Sequence, residues 1–166
     1  SRQNGYWDIY ILDFATGKTT RLTDTPEYDS NPTWSPDGQW IAYESYKNDN
    51  LDIFIQSTAN LTDAPIQLTD SSGIDHSPSW SPSGREIAFI SDQTGEEEVW
   101  LANLDQTENR FVNISLNGNG KESHPSWSAD GNYLTWGTET NGDSQIYVWW
   151  RHNPQDPPSP IASGNW

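Results

Sequence analysis

The 166-residue sequence has no cysteine and no methionine, and it has only 8 lysine and arginine residues against 24 acidic ones. Without cysteine there is no disulfide framework, no thiolate metal site and no thiol nucleophile. A net charge of −16 argues against a nucleic-acid partner, because such proteins displace counterions with clustered basic side chains. The longest apolar run, Ile146 to Trp150, has five residues, which is too short to insert across a bilayer.

The chain also lacks an initiator methionine and the basic-then-apolar start of a secretory signal. A secreted protein after cleavage and a piece of a longer protein are both consistent with this start. A mean hydropathy of −0.87 is typical of chains that stay unfolded. Aromatic residues nevertheless make up 13% of the sequence, and 10 residues are tryptophan, so we expect a packed interior.

Three sequence markers recur in register with a period of 44 to 47 residues. A tryptophan turn of the type Pro-x-Trp-Ser-x-x-Gly is centred on Trp34, Trp80 and Trp127. An apolar-aromatic pair begins at Ile9, Ile53, Val99 and Ile146. An apolar pair of the Leu-Thr type begins at Leu22, Leu68, Ile114 and Ile161. Chance is a poor explanation for three markers that keep the same spacing.

Each repeat is predicted to form four short strands. In Trp-Ser-Pro-Asp-Gly, Pro sets φ for a tight turn, and Asp and Gly follow at positions that suit them. The apolar runs after the turns, 40–43, 87–90 and 133–136, lack strict alternation, as expected of strands buried on both faces. Four strands per unit predict an all-β fold, a β-propeller of four-stranded antiparallel blades.

The markers resemble a known family. Pro-x-Trp-Ser-Pro-Asp-Gly, then Ile-Ala-Phe-x-Ser, Ile-Tyr-x-x-Asp and Leu-Thr, is similar to the WD-like β-propeller repeat of TolB and its relatives, from Ile9 to Ala162. Ser83 replaces the turn Asp, so that Asp is not a uniform ligand. The resemblance implies a periplasmic or extracellular bacterial protein that binds other proteins without catalysis. TolB itself acts in the Tol-Pal system and contacts a peptidoglycan-associated lipoprotein, but the resemblance does not identify the partner of this chain.

Counting the markers gives fourteen strands, or three and a half blades, in repeat units near residues 8–51, 52–97, 98–144 and 145–166, the last one partial. The chain is expected to start half-way through one blade and to stop half-way through another. Two explanations are open. The chain belongs to a longer propeller, which we favour, or a second chain completes a ring of seven blades.

Three acids precede the tryptophan hairpins at spacings of 46 and 47 residues: Asp29, Asp75 and Glu122. We expect them to ring the mouth of the central channel, where carboxylates could bind Ca²⁺ or a cationic protein partner. Alternatively, they end loops and cap backbone N–H groups. His76 and His124 lie beside them at non-equivalent repeat positions, and they would form a zinc site only if both converged with a carboxylate.

Trp149 and Trp150 lie where the repeat degenerates, so they either pack the last blade or form a partner surface. The sequence has no Gly-x-Ser-x-Gly nucleophile elbow, and no catalytic pair stands out among its acids. The leading prediction is a non-enzymatic protein-binding scaffold with no cofactor besides the Ca²⁺ candidate. A substrate-gating propeller of a prolyl oligopeptidase-type serine peptidase and a structural module of a large surface assembly are the alternatives.

Overall fold

A computed structural model describes residues 2–3, 5–116 and 120–164. Within them the chain forms sixteen β-strands and no α-helix. An N-terminal hairpin, β1 (Arg2–Gln3) and β2 (Tyr6–Trp7), precedes a half-blade of β3 (Tyr10–Leu12) and β4 (Thr19–Arg21). Blade 1 holds β5 (Tyr28–Trp34), β6 (Trp40–Lys47), β7 (Asn50–Ser57) and β8 (Ile66–Gln67). Blade 2 holds β9 (Asp75–Trp80), β10 (Glu86–Ser91), β11 (Glu98–Asn103) and β12 (Phe111–Asn113). Blade 3 holds β13 (Lys121–Trp127), β14 (Tyr133–Thr140), β15 (Asp143–Trp150) and β16 (Ser159–Gly164).

The sheets confirm the predicted four-stranded antiparallel blades. Blades 2 and 3 are separate sheets in which each strand pairs with the next in sequence. In blade 1 the N-terminal hairpin adds to the inner edge, where Trp7 pairs in parallel with Tyr28. No helix among the described residues has the length and apolar character needed to cross a membrane.

One prediction about the ends is wrong. The half-blade at the start is an outer hairpin, that is, the third and fourth strands of a blade. The last sheet has all four strands, so the described chain does not stop half-way through a blade. Two copies would therefore supply two outer hairpins and no inner hairpin to complete either of them. Seven four-stranded blades cannot be assembled in that way, although the strand count alone would allow it. The repeat-unit boundaries stay a prediction, and residues 165–166 of the last unit lie outside the described part.

The tryptophan turns form as their residues predict. In blade 1 the Gly38 N–H donates to the Ser35 carbonyl at 2.9 Å, and the Ser35 hydroxyl donates to Asp37 Oδ1 at 2.6 Å. The φ of Gly38 is 71°, a left-handed conformation that favours glycine. In blade 2 the hydroxyls of Ser81 and Ser83 are 2.7 Å apart, so Ser83 replaces the turn Asp without loss of the contact. The turn Asp is thus part of the turn itself.

The first strand of each blade, which we call the inner strand (β5, β9 and β13), contains a β-bulge at its centre. The residue before the strand proline has a φ near +50° in all three blades, at Asn31, Ser77 and His124. The register shifts at these points, between residues 30 and 33, 76 and 79, and 123 and 126. The repetition of this left-handed residue shows that the bulge belongs to the blade design.

The hydrophobic core lies in the joints, which we define as the interfaces between successive blades. Every residue of β10 is buried, which confirms burial on both faces for the run 87–90, whereas Tyr133 in the run 133–136 is exposed. The joint between blades 1 and 2 is built around Ile53, Ile55, Ile87 and Phe89. The joint between blades 2 and 3 is built around Val99, Leu101, Leu134 and Trp136. A smaller core with Ile9, Leu22, Ile41, Tyr43 and Phe54 joins the half-blade to blade 1.

The far side of blade 3 carries the same apolar positions without a neighbour. Ile53 and Val99 occupy one repeat position and are fully buried, whereas Ile146 at that position is 36% exposed. Ile161, which corresponds to the buried Leu68 and Ile114, is also exposed. No described residue covers this side, so blade 3 presents a face that is built like the inside of a joint.

Candidate functional site

The three repeat-spaced acids lie inside the joints. Asp29 and Glu122 are the second residues of β5 and β13, and Asp75 is the first residue of β9, so all three begin inner strands as predicted. Their residues are only 2%, 6% and 1% exposed, respectively. The structure therefore covers these carboxylates, which the sequence predicted at the mouth of the channel.

Asp29 and Asp75 each accept a hydrogen bond from a hydroxyl group at the same repeat position. The Thr25 hydroxyl donates to Asp29 Oδ2 at 2.9 Å, and the Ser45 hydroxyl donates to Asp29 Oδ1 at 2.5 Å. The Ser71 hydroxyl donates to Asp75 Oδ2 at 3.2 Å. Thr25 and Ser71 each precede their acid by four residues, so the link between blades folds back onto the carboxylate. Buried hydrogen bonds of this kind fix the start of the inner strand.

Glu122 makes a different contact because its side chain is one methylene longer than Asp. Its Oε2 accepts a hydrogen bond at 3.0 Å from the Val99 N–H in blade 2, and the Ser115 hydroxyl accepts from the same N–H at 3.0 Å. Glu122 thus ties blade 3 to the preceding blade by capping a backbone N–H. Thr138, which corresponds to Ser45, has a buried hydroxyl oxygen with no hydrogen-bond partner.

A second row of buried acids was missed in the sequence. Asp8, Asp52 and Glu98 stand directly before the apolar-aromatic pair and are buried in the structure. Each is held by a long polar side chain from the outermost strand. Arg21 contacts Asp8 at 2.8 Å, Gln67 donates to Asp52 at 3.2 Å, and Asn113 donates to Glu98 at 2.6 Å. Their 44- and 46-residue spacing was the signal that could have revealed them.

The two rows of acids meet in the joint between blades 1 and 2. Burial, and to a lesser extent the charge of the nearby Asp75, raises the pKa of Asp52 to about 6. Burial also raises the pKa of Asp75 and of Glu122. Because desolvation dominates in each case, these groups take up protons more readily than exposed carboxyls do. The arrangement can exchange protons and can hold hydrogen-bond donors.

No group of three or more His, Cys, Asp or Glu side chains in the described part of the chain could hold a metal ion. His76 Nδ1 is 3.0 Å from the Ser77 hydroxyl, and its Nε2 is 3.8 Å from Glu97. His124 is exposed and occupies the bulge, one repeat position after His76. The Ca²⁺ site at Asp29, Asp75 and Glu122 stays a prediction.

Glu44 is a buried acid that has no repeat counterpart, since Ile90 and Gly137 occupy its position in blades 2 and 3. Its Oε1 accepts from the Ser30 hydroxyl at 2.5 Å and from the Asn31 amide at 2.9 Å. Its Oε2 accepts from the Ser77 N–H of blade 2 at 2.9 Å. Glu44 therefore joins the bulges of two neighbouring inner strands.

The tryptophan pair near the end of the chain is divided by the sheet. Trp149 is 5% exposed and belongs to the core of the joint between blades 2 and 3. Trp150 points to the other side of the strand, is 47% exposed, and contacts the His152 ring edge-on. Of the two candidate partner contacts, Trp150 is the one with an accessible indole.

A family model described as the TolB beta propeller domain matches residues 61–155. A model described as the dipeptidyl peptidase IV N-terminal region matches residues 1–77. The Tol-Pal system protein TolB of Francisella tularensis subsp. mediasiatica is 41% identical over 106 residues, which are 63% of this chain and 24% of that protein. The chain therefore spans about a quarter of the length of this relative.

Two solved structures show the same fold. A structure described as putative TolB from Agrobacterium tumefaciens has a TM-score of 0.80 at 21% identity, covering 97% of this chain and 58% of that one. Porphyromonas gingivalis dipeptidyl peptidase 4 has a TM-score of 0.65 at 17% identity, covering 96% of this chain and 29% of that one. At these identities the likeness concerns the fold alone.

Proposed function

Because the chain belongs to the TolB β-propeller domain family, we propose that it forms part of a non-enzymatic propeller scaffold that binds other proteins. The proposed location is the bacterial cell envelope or the extracellular space. Relatives that are named for the Tol-Pal system support a role in protein–protein contact.

The family match carries this proposal, and the burial of the repeat-spaced acids means that a docking surface must use other side chains. Asp29 and Asp75 bind hydroxyls of the links that precede their strands, and Glu122 binds a backbone N–H of the preceding blade, which are structural uses of carboxylates. Exposed acids lie elsewhere, and one set is at the loops between the second and third strands of the blades. Asp49 and Glu96 are exposed in these loops, and Asp143 is exposed at the start of β15, next to the third loop. We call the end of the blades that carries these loops the acidic face, and propose that a basic protein surface docks on it.

Affinity capture from an envelope extract with the full-length protein tests the proposal. The test variant reverses the charge of these three acids: Asp49→Lys, Glu96→Lys and Asp143→Lys. A matched control reverses three exposed acids at the opposite end of the blades: Asp63→Lys, Glu108→Lys and Asp156→Lys. We expect a captured protein to be lost with the first variant and retained with the second. Equal capture by both variants would contradict docking on the acidic face.

A contact role for Asp29, Asp75, Glu122, His76 and His124 stays a prediction. The buried acids need a stability measurement beside the capture, since their removal leaves hydrogen-bond donors unpaired in a joint. His124 and Trp150 are accessible, so their alanine variants report on contact more directly. Loss of capture with His124→Ala at unchanged stability would extend the docking surface to the bulge of blade 3.

A substrate-gating propeller of a serine peptidase is the second candidate. The match of residues 1–77 to the dipeptidyl peptidase IV N-terminal region favours it. Labelling of the full-length protein with a fluorophosphonate probe tests for the reactive serine that such a peptidase carries. Labelling that is abolished by heat denaturation would support the peptidase and contradict a purely non-enzymatic scaffold.

A further inference from the structure

The two complete joints differ at a pair of repeat positions near the tryptophan turns. Between blades 2 and 3, Arg151 Nε lies 2.8 Å from Glu86 Oε2, and this ion pair lines a smaller cavity of about 370 Å³ at the end of the joint. The corresponding residues between blades 1 and 2 are Trp40, 46 residues before Glu86, and Leu104, 47 residues before Arg151. Both are partly buried and pack against the core of the joint. The ion pair of one joint is thus an apolar pair in the other.

A groove of about 510 Å³ opens at this point between blades 1 and 2. Its apolar lining comes from both blades and includes Trp40, Ile55, Leu68, Trp80 and Leu104. Ile66, on the short outer strand of blade 1, is 54% exposed at its edge. Apolar surface of this kind in a concave site is a common feature of ligand and peptide sites.

Two arginines border the groove in a chain that has only 8 basic residues. The Arg85 side chain is 70% exposed and lies 3.4 Å from the exposed Asp105. Arg110 Nε donates to the Gln106 carbonyl at 2.8 Å, which orients its guanidinium beside the groove. One carboxylate also lines the groove, that of Asp37, and it already accepts hydrogen bonds from the Ser35 hydroxyl and the Gln39 N–H.

We propose that this groove binds a protein segment in which a large apolar side chain is flanked by carboxylates. The apolar side chain would bury against Trp40 and Trp80, since aromatic residues in pockets supply most of the binding energy at interfaces. The carboxylates would pair with Arg85 and Arg110, whose planar guanidinium groups suit them. The groove lies at the opposite end of the blades from the acidic face, so the inference goes beyond the proposed function and does not depend on it.

Selection from a displayed library of random peptides, with the full-length protein as bait, tests the proposal. We expect the selected peptides to share a large apolar residue with Asp or Glu on either side. The decisive variant is the double substitution Trp40→Glu with Leu104→Arg, which copies the ion pair of the other joint. It should weaken binding of the selected peptides by at least about tenfold, because it replaces the aromatic anchor and its apolar neighbour with a charged pair.

A second variant keeps the test independent of folding. Arg85→Glu with Arg110→Glu changes an exposed and a partly buried side chain outside the hydrophobic cores, and it should also weaken binding of the acidic peptides by about tenfold or more. Raising the salt to about 1 M should weaken binding to the unchanged protein by screening these charges. Selection of peptides without acidic residues, or binding that survives both variants, would overturn the proposal. Failure of the capture experiment at the acidic face would leave these results unaffected.

Discussion

Ile53 and Ile146 allow a direct measurement of what a neighbouring blade contributes. They occupy the same repeat position on equivalent strands, β7 and β15, and the chemistry of an Ile→Ala substitution is identical at both. Ile53 is fully buried in the joint between blades 1 and 2, whereas Ile146 is 36% exposed on the uncovered side of blade 3. The difference between Ile53→Ala and Ile146→Ala therefore isolates the effect of coverage.

The structure sets the size of this difference. Removing three carbon atoms from Ile53 loses about 2.4 kcal/mol of transfer free energy, at about 0.8 kcal/mol per methylene, and a closed cavity adds to that. We expect a total of about 3.5 kcal/mol for Ile53→Ala. At Ile146 about two thirds of the transfer term applies and no closed cavity forms, so we expect about 1.5 kcal/mol.

Urea unfolding of the 166-residue chain, followed by tryptophan fluorescence, provides the free energies if the slopes of the variants agree. The measurement should be made at two protein concentrations that differ by about tenfold, since association would appear as concentration dependence. In a longer protein that carries a further blade, Ile146→Ala should approach the cost of Ile53→Ala.

Equal costs for both substitutions in the 166-residue chain, independent of concentration, would refute the reasoning. Such a result would mean that the far side of blade 3 is already covered within one chain. A cost for Ile146→Ala that falls on dilution would instead show that a second copy covers this side.

Three further predictions concern single residues. The pKa of Asp52 is about 6 in the folded chain, against an ordinary 3.8, so the folded state binds this proton more tightly than the unfolded state does. The free energy of unfolding should therefore fall as the pH rises through this window. Asp52→Asn removes the titrating group and should reduce the difference in urea midpoint between pH 5 and pH 7. Glu44→Ala leaves three donors unpaired and should lower the free energy of unfolding by about 3 kcal/mol. Glu44→Gln keeps an acceptor and should lower it less, so equal urea midpoints for the two variants would contradict the bridging role. Gly84→Ala should cost about 1–2 kcal/mol through its left-handed φ, and more than Gly38→Ala, because a Cβ at Gly84 would lie 3.3 Å from Pro36; thermal or urea unfolding of the pair checks the order.

The repeat markers predict most of the fold because each reflects a local requirement. The Gly of the tryptophan turn marks a left-handed residue, and the apolar runs after it mark strands buried on both faces. Counting strands by total number, however, conceals which half of a blade is present. The half-blade is an outer hairpin, as the pairing of β3 with β4 shows, and the order of the markers, with Ile9 and Leu22 before Trp34, already contains this information.

The sequence locates the candidate acids but not their surroundings. Asp75 and Asp52 lie 23 positions apart in the sequence, and nothing in their spacing shows that the fold brings their charges together. Asp52 itself belongs to a row with a period, so closer attention to the markers could have found it. Glu44 could not be found in this way, because its three partners are joined only by the fold and its position does not repeat.

Trp149 and Trp150 illustrate the same limit. Alternation along a strand sends neighbouring side chains to opposite sides, so one of the two had to face the core. Which one does so depends on the register of β15 against β14, where Trp149 pairs with Leu134. The irregular sequence around the pair gave no indication of that register.

The contacts that join the inner strands run backward along the chain. The Ser77 N–H of blade 2 reaches Glu44 of blade 1, and both Glu122 and the Trp127 indole of blade 3 bind backbone atoms of blade 2. During synthesis, the ribosome would therefore complete each receiving surface before the strand that docks on it emerges. A nascent chain with these contacts can fold and dock its blades one at a time, in the order of translation, before its last residues are synthesised.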